Sequence, residues 1–249
     1  MVVVSLLSKL FNKIVNFIFP AQCIICKNFI ENNDGICFEC LNNIDFITNP
    51  KCDCCGYPFE IIYSDTTDKK KTLLCPNCIK EKPKFHKCVS VVKYNDAAKK
   101  IILPFKHADK TNFAKIMGRM MSATVSPFID EVDFIMPVPI HLKRMLKRKY
   151  NQSSLLSNII SKYTKKPVLY NVLYRAKFKQ SQGHLSTNKR KLNVAGAFDV
   201  KNKTKIKGKN ILIVDDVFTT GATISECADV LLKNGAKKIF VVTFARVVK

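Results

Sequence analysis

The residues best suited to chemistry lie near the C-terminus, where two acids precede a run of small and hydroxyl side chains. Asp215 and Asp216 directly follow the apolar run of residues 211–214. The small residues after them are Thr219, Thr220, Gly221, Ala222 and Thr223. Hydroxyl groups and unpaired N–H groups at a helix start bind phosphate, and the helix dipole favours an anion there. Carboxylates beside a phosphate must face something else, and ribose hydroxyls or hydrated Mg²⁺ both suit them. The pattern therefore predicts a site for a ribose 5-phosphate.

A second chemical feature is a set of cysteines in the first part of the chain. Eight of the eleven cysteines form four Cys-x2-Cys pairs. Each such turn points two thiolates at one place, and two turns complete the tetrahedron that zinc prefers. The predicted metal ligands are Cys23, Cys26, Cys37, Cys40, Cys52, Cys55, Cys75 and Cys78. We therefore predict one or two structural zinc ions, which would stabilise a segment too short for a large core of its own.

The sequence leaves open which pairs share a metal. Sequential pairing, first with second and third with fourth, is the simplest arrangement, and interleaved pairing is the alternative. Cys54 lies inside the third pair and can replace a neighbouring ligand or stand aside. Cys88 and Cys227 are predicted to be small buried residues.

A basic segment near the middle of the chain is a candidate diphosphate site. The apolar run of residues 132–138 ends in a proline turn, and arginines follow that can form forked contacts with phosphate oxygens. The candidate residues are Val138, Pro139, Ile140, Arg144, Arg148 and Lys149. The alternative interpretation is the solvated basic face of a helix.

Two further stretches can complete the site. Residues 175–193 are polar and basic, and we predict a loop that closes over the substrate and excludes water. His184 is the histidine of that loop, and a lone histidine is more often solvated than catalytic. Lys106 follows an apolar run and is a candidate for the same cleft. No residue is identified as a catalytic base.

These residues require an α/β framework to hold them. The apolar run of residues 211–214 predicts a buried parallel strand that carries its function at its C-terminal end. A helix is predicted from the small-residue run to about Lys233, and Gly235 ends it before another strand at residues 239–244. Residues 132–138 predict a further buried strand. The fold class is therefore α/β, with a parallel sheet flanked by helices.

The overall charge is strongly positive. The 249 residues include 42 Lys and Arg against 19 Asp and Glu, which gives a formal net charge of +23. Such an excess predicts attraction to polyanions, among them nucleic acid, a phosphate-rich substrate and an anionic membrane. The alternative is a lysine-rich proteome, because the lysines are scattered along the chain. With 47% hydrophobic residues, the composition is that of a globular protein and excludes a disordered chain.

The N-terminal residues 1–20 predict an amphipathic helix. Apolar residues recur there at helical spacing, and Lys9 and Lys13 interrupt the run. We expect this helix to dock on the protein, with a membrane surface as the alternative. The run has no cleavage site of a secretory signal and is too short for a transmembrane segment, so we expect a cytoplasmic protein. Clustered thiols in that compartment favour metal over disulfides.

Taken in order, these motifs resemble the ComF family. The resemblance rests on the four cysteine pairs, residues 137–141 and 148–152, the Gln180-Ser181-Gln182 loop with Arg190 and residues 193–194, and residues 215–223. One departure is Lys149, where the family usually has glycine, so the backbone freedom of that turn is reduced. The resemblance implies a double zinc ribbon at residues 21–88 and a type I phosphoribosyltransferase fold at residues 89–249.

The family is tied to natural competence, the uptake of single-stranded DNA by bacteria. The resemblance implies that phosphoribosyl diphosphate (PRPP), or a related ribose phosphate, binds with Mg²⁺. Three functions remain open: a transferase that uses PRPP in DNA transport or processing, an adaptor that senses PRPP, and a nucleobase-salvage enzyme. The adaptor would contact single-stranded DNA and a competence helicase-type protein through its zinc ribbons and basic surface. Salvage does not explain the zinc module.

Overall fold

The computed structural model of the protein describes residues 20–30, 35–60, 72–107, 111–140, 145–146, 149–176 and 195–248. The chain divides into two compact units, Met1–Ile44 and Asp45–Lys249. The division lies between the second and third Cys-x2-Cys pairs, so each unit contains two of the four pairs. The helix predicted for residues 1–20 lies outside the described residues, apart from residue 20.

The described part of the first unit is a cysteine turn followed by a short helix. Gln22 and Phe29 form an antiparallel bridge on either side of the first cysteine pair. The Lys27 N–H closes the turn by donating to the Cys23 carbonyl at 2.9 Å. Helix α1, Phe38–Asn42, begins after Cys37, whose Sγ accepts the N–H of Cys40.

The second unit opens with the same local structure. Lys51 and Pro58 form the antiparallel bridge, and the Gly56 N–H donates to the Cys52 carbonyl at 2.8 Å. Helix α2, Pro76–Lys80, begins after Cys75, its N-cap. The chain then enters the sheet that forms the framework of this unit.

That sheet has four parallel strands in the order β1-β6-β5-β2. Strands β3 and β4 form a separate antiparallel hairpin. The strands are β1 Lys87–Lys93, β2 Phe134–Pro137, β3 Leu173–Arg175, β4 Phe198–Val200, β5 Asn210–Phe218 and β6 Lys238–Arg246. The three strands predicted at residues 132–138, 211–214 and 239–244 all form, and β5 extends far enough to include both acids.

In the part of the chain that the structure describes, four longer helices accompany the sheet, and two 3-10 helices span Ser126–Glu131 and Lys203–Lys205. The helices are α3 Asp96–Phe105, α4 Asn112–Val125, α5 Gln152–Thr164 and α6 Ala222–Lys233. Helix α6 ends at the predicted residue, and Gly235 follows it with φ 97°. Within the described ranges, no helix has both the length and the apolar character needed to cross a bilayer.

The sheet is buried on both faces. On one face, an apolar cluster joins the sheet to α6, the β3–β4 pair and the second cysteine tetrad, which is Cys52, Cys55, Cys75 and Cys78. The sheet contributes Ile211, Ile213, Ile239 and Val241 to this cluster. The alternate residues, which point the other way in a strand, are buried too. Helices α4 and α5 contact strands of the sheet and pack closely against each other, because Gly118 has no side chain. A Cβ there would lie 2.5 Å from the Ile159 Cβ.

Candidate functional site

The two acids lie at the end of β5, where they are held by groups from other elements. Asp215 Oδ1 accepts the Ser153 hydroxyl at 3.1 Å and the Asp216 N–H at 2.9 Å. Lys106 Nζ lies 3.3 Å from Asp216 Oδ2. Both carboxylates are half-buried, so these contacts limit where they can point. The lysine that the sequence marked as a candidate therefore lies beside the predicted acids.

The surroundings of Asp215 shift the pKa of its carboxyl group. Burial, and after it the negative charge of Asp216, raise the pKa of Asp215 to about 7. Hydrogen bonds from the Asp216 N–H and Ser153, and the charge of Lys106, act in the opposite direction on this pKa. Asp215 thus changes charge near neutral pH, and a cation or hydroxyl donor at this place stabilises its ionised form.

The small-residue loop joins β5 to α6. Gly221 is the N-cap of α6 and has φ 74°, a conformation that L-residues rarely adopt. A Cβ at Gly221 would lie 2.6 Å from Phe218 Cζ, so this position needs glycine for two reasons. A hollow of about 30 Å³ lies here, and among its lining residues are Asp215, Thr219, Gly221, Ala222 and Thr223. The Thr220 hydroxyl accepts the Ala222 N–H at 3.4 Å.

The loop has the chemistry of a phosphate site. Helix α6 has 12 residues, and the first N–H groups of a helix have no partner within it. They point toward the loop together with the positive end of the helix dipole. The acids lie on the strand before the loop, and these donors lie on the helix after it. A phosphate and a sugar diol can therefore be held side by side.

The predicted diphosphate turn is described in part. Val138, Pro139, Ile140 and Lys149 are described, whereas Arg144 and Arg148 lie outside the described residues. The Val138 N–H donates to the Val214 carbonyl at 3.0 Å, so the turn lies beside the residue that precedes the acids. Lys149 has φ 63°. This lysine adopts the left-handed conformation that glycine would adopt more easily, so the expected cost to the turn is present.

The segment after Lys149 connects the parts of the site. The Tyr150 hydroxyl donates to the carbonyls of Phe105 and His107, at 2.7 and 2.8 Å, and so brackets Lys106. Asn151 Nδ2 donates to the Val138 carbonyl at 3.0 Å. These residues, with Ser153, position the lysine, the turn and the first acid. The sequence did not identify them as site residues, although Tyr150 and Asn151 belong to the stretch of residues 148–152 that supports the family resemblance.

The predicted closing loop falls almost wholly outside the described residues. Only Arg175 and Ala176 of residues 175–193 are described. His184 and Arg190 lie outside the described ranges.

The eight predicted metal ligands form two groups in the structure. Cys23, Cys26, Cys37 and Cys40 form one, and Cys52, Cys55, Cys75 and Cys78 form the other. The ligand atoms of each group lie within 4.8 Å of one another. The Sγ atoms of Cys26 and Cys37 lie 3.6 Å apart in the first group, and those of Cys55 and Cys75 lie 3.6 Å apart in the second. A tetrahedral Zn–S distance of about 2.3 Å requires S···S separations of about 3.8 Å. Both groups therefore fit zinc, with sequential pairing.

Backbone N–H groups favour a thiolate in each group. Burial acts to raise the pKa of Cys23, but N–H donors, led by Cys26, outweigh it and lower this pKa to about 6. The same holds for Cys52. Burial acts to raise its pKa, but N–H groups, mainly those of Cys55 and Cys75, lower it to about 7. Pre-formed donors to sulfur reduce the proton competition that a metal must overcome.

The three other cysteines stand outside both groups. Cys54 is not among the grouped ligands, and burial raises its pKa. Cys88 is buried in β1 and Cys227 in α6. None of the eleven cysteines forms a disulfide.

A cleft of about 1130 Å³ runs from the second tetrad to the small-residue loop of residues 219–223, which we call the phosphate loop. Its lining includes α2 and the segment after it, Phe218 to Ala222, and one side of α6. Five cationic and three acidic side chains line it: Lys80, Lys82, Lys84, Lys233, Arg246, Glu81, Glu226 and Asp229. Asp229 is engaged by Lys233 at 2.5 Å. The three lysines that follow the second tetrad are exposed and give this rim a positive charge.

Comparison with known proteins agrees with this structure. Residues 14–79 match the family of double zinc ribbon domains, and residues 151–248 match the family of phosphoribosyl transferase domains. Together with the parallel sheet and the cysteine tetrads, these matches confirm the predicted type I phosphoribosyltransferase fold with a zinc ribbon at its N-terminal side. They also support structural zinc.

Three curated relatives align along most of their length. Competence protein F of Haemophilus influenzae is 29% identical over 93% of this chain and 99% of its own. DNA utilization protein YhgH of Salmonella typhimurium is 27% identical over 88% of this chain and 94% of its own. Competence protein ComFC of Bacillus subtilis is 26% identical over 83% of this chain and 81% of its own. The chain thus combines a double zinc ribbon with a phosphoribosyltransferase domain, and it is similar along most of its length to proteins named for competence and DNA utilization.

Proposed function

We propose that the second unit binds PRPP, or a related ribose 5-phosphate, with Mg²⁺, and that the protein acts on single-stranded DNA in natural transformation. The observation that carries the first part is the run from Asp215 to Thr223. Two half-buried acids lie near the C-terminal end of a parallel strand, and a short loop leads from that strand to Gly221, which has φ 74° and starts a 12-residue helix. The 5-phosphate would lie on the loop, with the sugar hydroxyls on the acids.

Lys106 fits this proposal as a group that changes partner. It neutralises Asp216 at 3.3 Å, so the acid pair is not left with two uncompensated charges. With Mg²⁺ at the carboxylates, the Lys106 ammonium would be free to contact the diphosphate oxygens instead. The metal would supply charge neutralisation for the diphosphate, and the carboxylates are the donors that Mg²⁺ prefers.

The test of ligand binding is calorimetric titration of PRPP with Mg²⁺. We expect Asp215→Ala together with Asp216→Ala to weaken the affinity at least about tenfold, because two charged contacts are lost. Asp96→Ala is the matched control, since this exposed acid pairs with Lys99 on α3, and its loss should leave the affinity unchanged. Equal affinity in the double variant and the wild type would refute the assignment.

We further propose that the ligand is a substrate for phosphoribosyl transfer. The acceptor would form a bond to C1 of the ribose while the C1–O bond to diphosphate breaks, and the electron pair leaves on the diphosphate. Isotope-labelled PRPP, incubated with DNA or with free nucleobases, tests this step. Diphosphate release with DNA supports transfer in transformation, and release with nucleobases alone supports salvage. No release with either would support the sensing adaptor, with its competence helicase-type partner.

The charged cleft favours single-stranded DNA as the partner. Its lysine rim adjoins the proposed phosphate loop, and a row of cations attracts a nucleic acid backbone. The relatives named for competence and DNA utilization are consistent with this partner. The described cysteines carry no disulfide and form two metal-type groups, which suits the reducing cytoplasm as the site of action.

Charge reversal tests the DNA contact. We expect Lys80→Glu, Lys82→Glu and Lys84→Glu in one protein to weaken binding of a labelled oligo(dT) at least about tenfold at low salt. The slope of log affinity against log salt should fall by about 2, because each single-strand phosphate contact contributes about 0.7. Lys203→Glu, Lys205→Glu and Lys207→Glu make the same change of charge outside the cleft and are the control. Equal losses in both triple variants would refute a local site.

A further inference from the structure

Arg246 is a buried cation that the proposed chemistry does not use. It is the last residue of β6, and only 5% of it is exposed. Its Nη1 donates to the Cys55 carbonyl, and the guanidinium lies 5.3 Å from the centre of the Tyr57 ring and 4.6 Å from that of Phe218. Its Nε has no hydrogen-bond partner among the described residues. A charge in such a place requires compensation.

The second tetrad supplies that compensation. Within the described ranges, no carboxylate forms an ion pair with Arg246. Cys55, whose carbonyl accepts a hydrogen bond from the guanidinium, is one of four buried cysteines that fit a zinc ion. Four thiolates around one Zn²⁺ carry about two net negative charges. A zinc ion bound to these four cysteines would therefore place an anionic group next to Arg246.

On its other side Arg246 reaches the phosphate loop through Phe218. The two residues are register partners at the ends of β6 and β5, and the Val247 N–H donates to the Phe218 carbonyl at 2.9 Å. The Phe218 ring fills the space beside Gly221, where a Cβ would lie 2.6 Å from Cζ. Phe85 packs edge-on against the same ring at 6.3 Å. Any displacement of the Phe218 ring therefore changes its packing against Gly221.

We propose that Arg246 is a positioning residue that couples the metal state of the second tetrad to the phosphate loop. The loaded tetrad holds the guanidinium, the guanidinium holds the Phe218 ring, and the ring holds Gly221 in the conformation that aims the first N–H groups of α6. This inference rests on the proposed function only in that the ligand of the loop is a ribose 5-phosphate.

The coupling is reciprocal by thermodynamic necessity. If metal in the second tetrad raises the affinity for the phosphate ligand, the ligand raises the affinity for metal by the same factor. Ribose 5-phosphate should therefore slow the release of one zinc ion per chain and leave the other unaffected. A residue that only stabilised the fold would change the unfolding temperature and would not produce this ligand-dependent release.

The experiment uses the zinc-loaded full chain and ribose 5-phosphate. Arg246→Met keeps the length of the stem and removes the charge and the forked donors. We expect it to bind ribose 5-phosphate about tenfold more weakly and to release one zinc faster to a chromophoric chelator, at a rate that the ligand no longer changes. Arg246→Lys keeps the charge and should recover part of both effects. Lys115→Met, which removes an exposed positive charge from α4, is the control.

The outcomes separate the two proposals. Wild-type protein that binds no ribose 5-phosphate would overturn the proposed function. Wild-type protein that binds it, while folded Arg246→Met binds equally well and shows the same ligand-dependent zinc release, would overturn the coupling alone. If Arg246→Met does not fold, Arg246→Gln, which keeps a donor and removes the charge, decides on the same two measurements, since wild-type values for both in that variant would overturn the coupling.

Discussion

The two cysteine tetrads have the same local structure in different surroundings. In each, an antiparallel bridge encloses the first pair, and a five-residue helix starts after the first cysteine of the second pair. In the first unit Cys26 is exposed, and Cys37 and Cys40 are half-buried. In the second unit all four cysteines are buried, within the apolar cluster of the sheet. The spacing thus specifies the metal geometry, and the surroundings decide whether the metal also supports a larger core.

The residue that follows the first cysteine pair of each tetrad shows the same difference in surroundings. Lys27 and Gly56 occupy equivalent positions, with φ 68° and 70°. A Cβ at Gly56 would lie 2.6 Å from the Cys88 carbonyl oxygen, because this turn packs against β1. Lys27 is exposed and its Nζ donates to the Ile24 carbonyl at 3.2 Å. The turn needs a left-handed residue in both places, and only the packed one also excludes a side chain.

The largest expected effect comes from removing each metal in turn. Cys52→Ser with Cys75→Ser should unfold the second unit or destabilise it by more than about 5 kcal/mol, since structural zinc contributes about 10 kcal/mol or more. Cys23→Ser with Cys40→Ser should leave the unfolding of the second unit unchanged. All seven tyrosines lie in residues 45–249 and the chain has no tryptophan, so near-UV circular dichroism of tyrosine follows that unit.

Elemental analysis accompanies this measurement. Each double variant should lose one zinc per chain if both tetrads are loaded. Equal destabilisation of the tyrosine signal by both variants would contradict the contrast between the tetrads.

The next effect tests the packing of the second turn directly. Gly56→Ala should lower the free energy of unfolding of the second unit by about 3 kcal/mol. The left-handed conformation accounts for about 1 kcal/mol, and the contact with the Cys88 carbonyl accounts for the rest. Denaturant unfolding followed by the tyrosine signal measures it. Gly208→Ala, at φ 71° with open space around its Cβ, is the control and should show the conformational cost alone.

A third effect concerns the proposed ligand site, which lies in the second unit. Asp215 has a pKa raised to about 7, first by burial, so below that pH it is protonated and a ligand that needs its charge must displace a proton. The affinity for PRPP and Mg²⁺ should rise about tenfold per pH unit up to about pH 7 and level off above it. Asp215→Asn should remove this slope. Titration in two buffers of different ionisation enthalpy measures the released proton.

Stability should change with pH in the opposite direction. An acid whose pKa is raised on folding is ionised first in the unfolded chain, so its contribution to folding declines as the pH rises from about 4 to 7. Without ligand, Asp215→Asn should therefore make the second unit more stable at pH 8 than the wild type is. A PRPP affinity that does not depend on pH between 5 and 7 would contradict the role given to Asp215.

Local patterns made much of this molecule predictable. The strand before the acids, the helix that ends at Lys233 and the four cysteine pairs are each specified within a few neighbouring residues. Periodicity and spacing carry that information, because strands, helices and cysteine turns are short-range structures. Sequential pairing of the cysteines required the fold, since the sequence allowed two arrangements.

Apart from the place of Lys106 beside the acids, the contacts between distant residues could not be predicted. Ser153 meets Asp215 across 62 positions, and Arg246 meets Cys55 across 191. Tyrosine, serine and arginine occur in many contexts, and nothing around these residues signals their partners. The integration of the second tetrad into the sheet core has the same origin, because burial depends on the assembled unit.

The smallest effect completes the comparison from the exposed side. Lys27→Gly should change the zinc affinity of the first tetrad by less than about fivefold, toward tighter binding, because glycine adopts φ 68° without the cost of a Cβ. Chelator competition for the more exposed zinc measures it, since no tyrosine lies in residues 1–44. A tenfold weaker affinity would mean that the Lys27 side chain supports the turn. The two turns would then differ in how they are stabilised, and not only in what surrounds them.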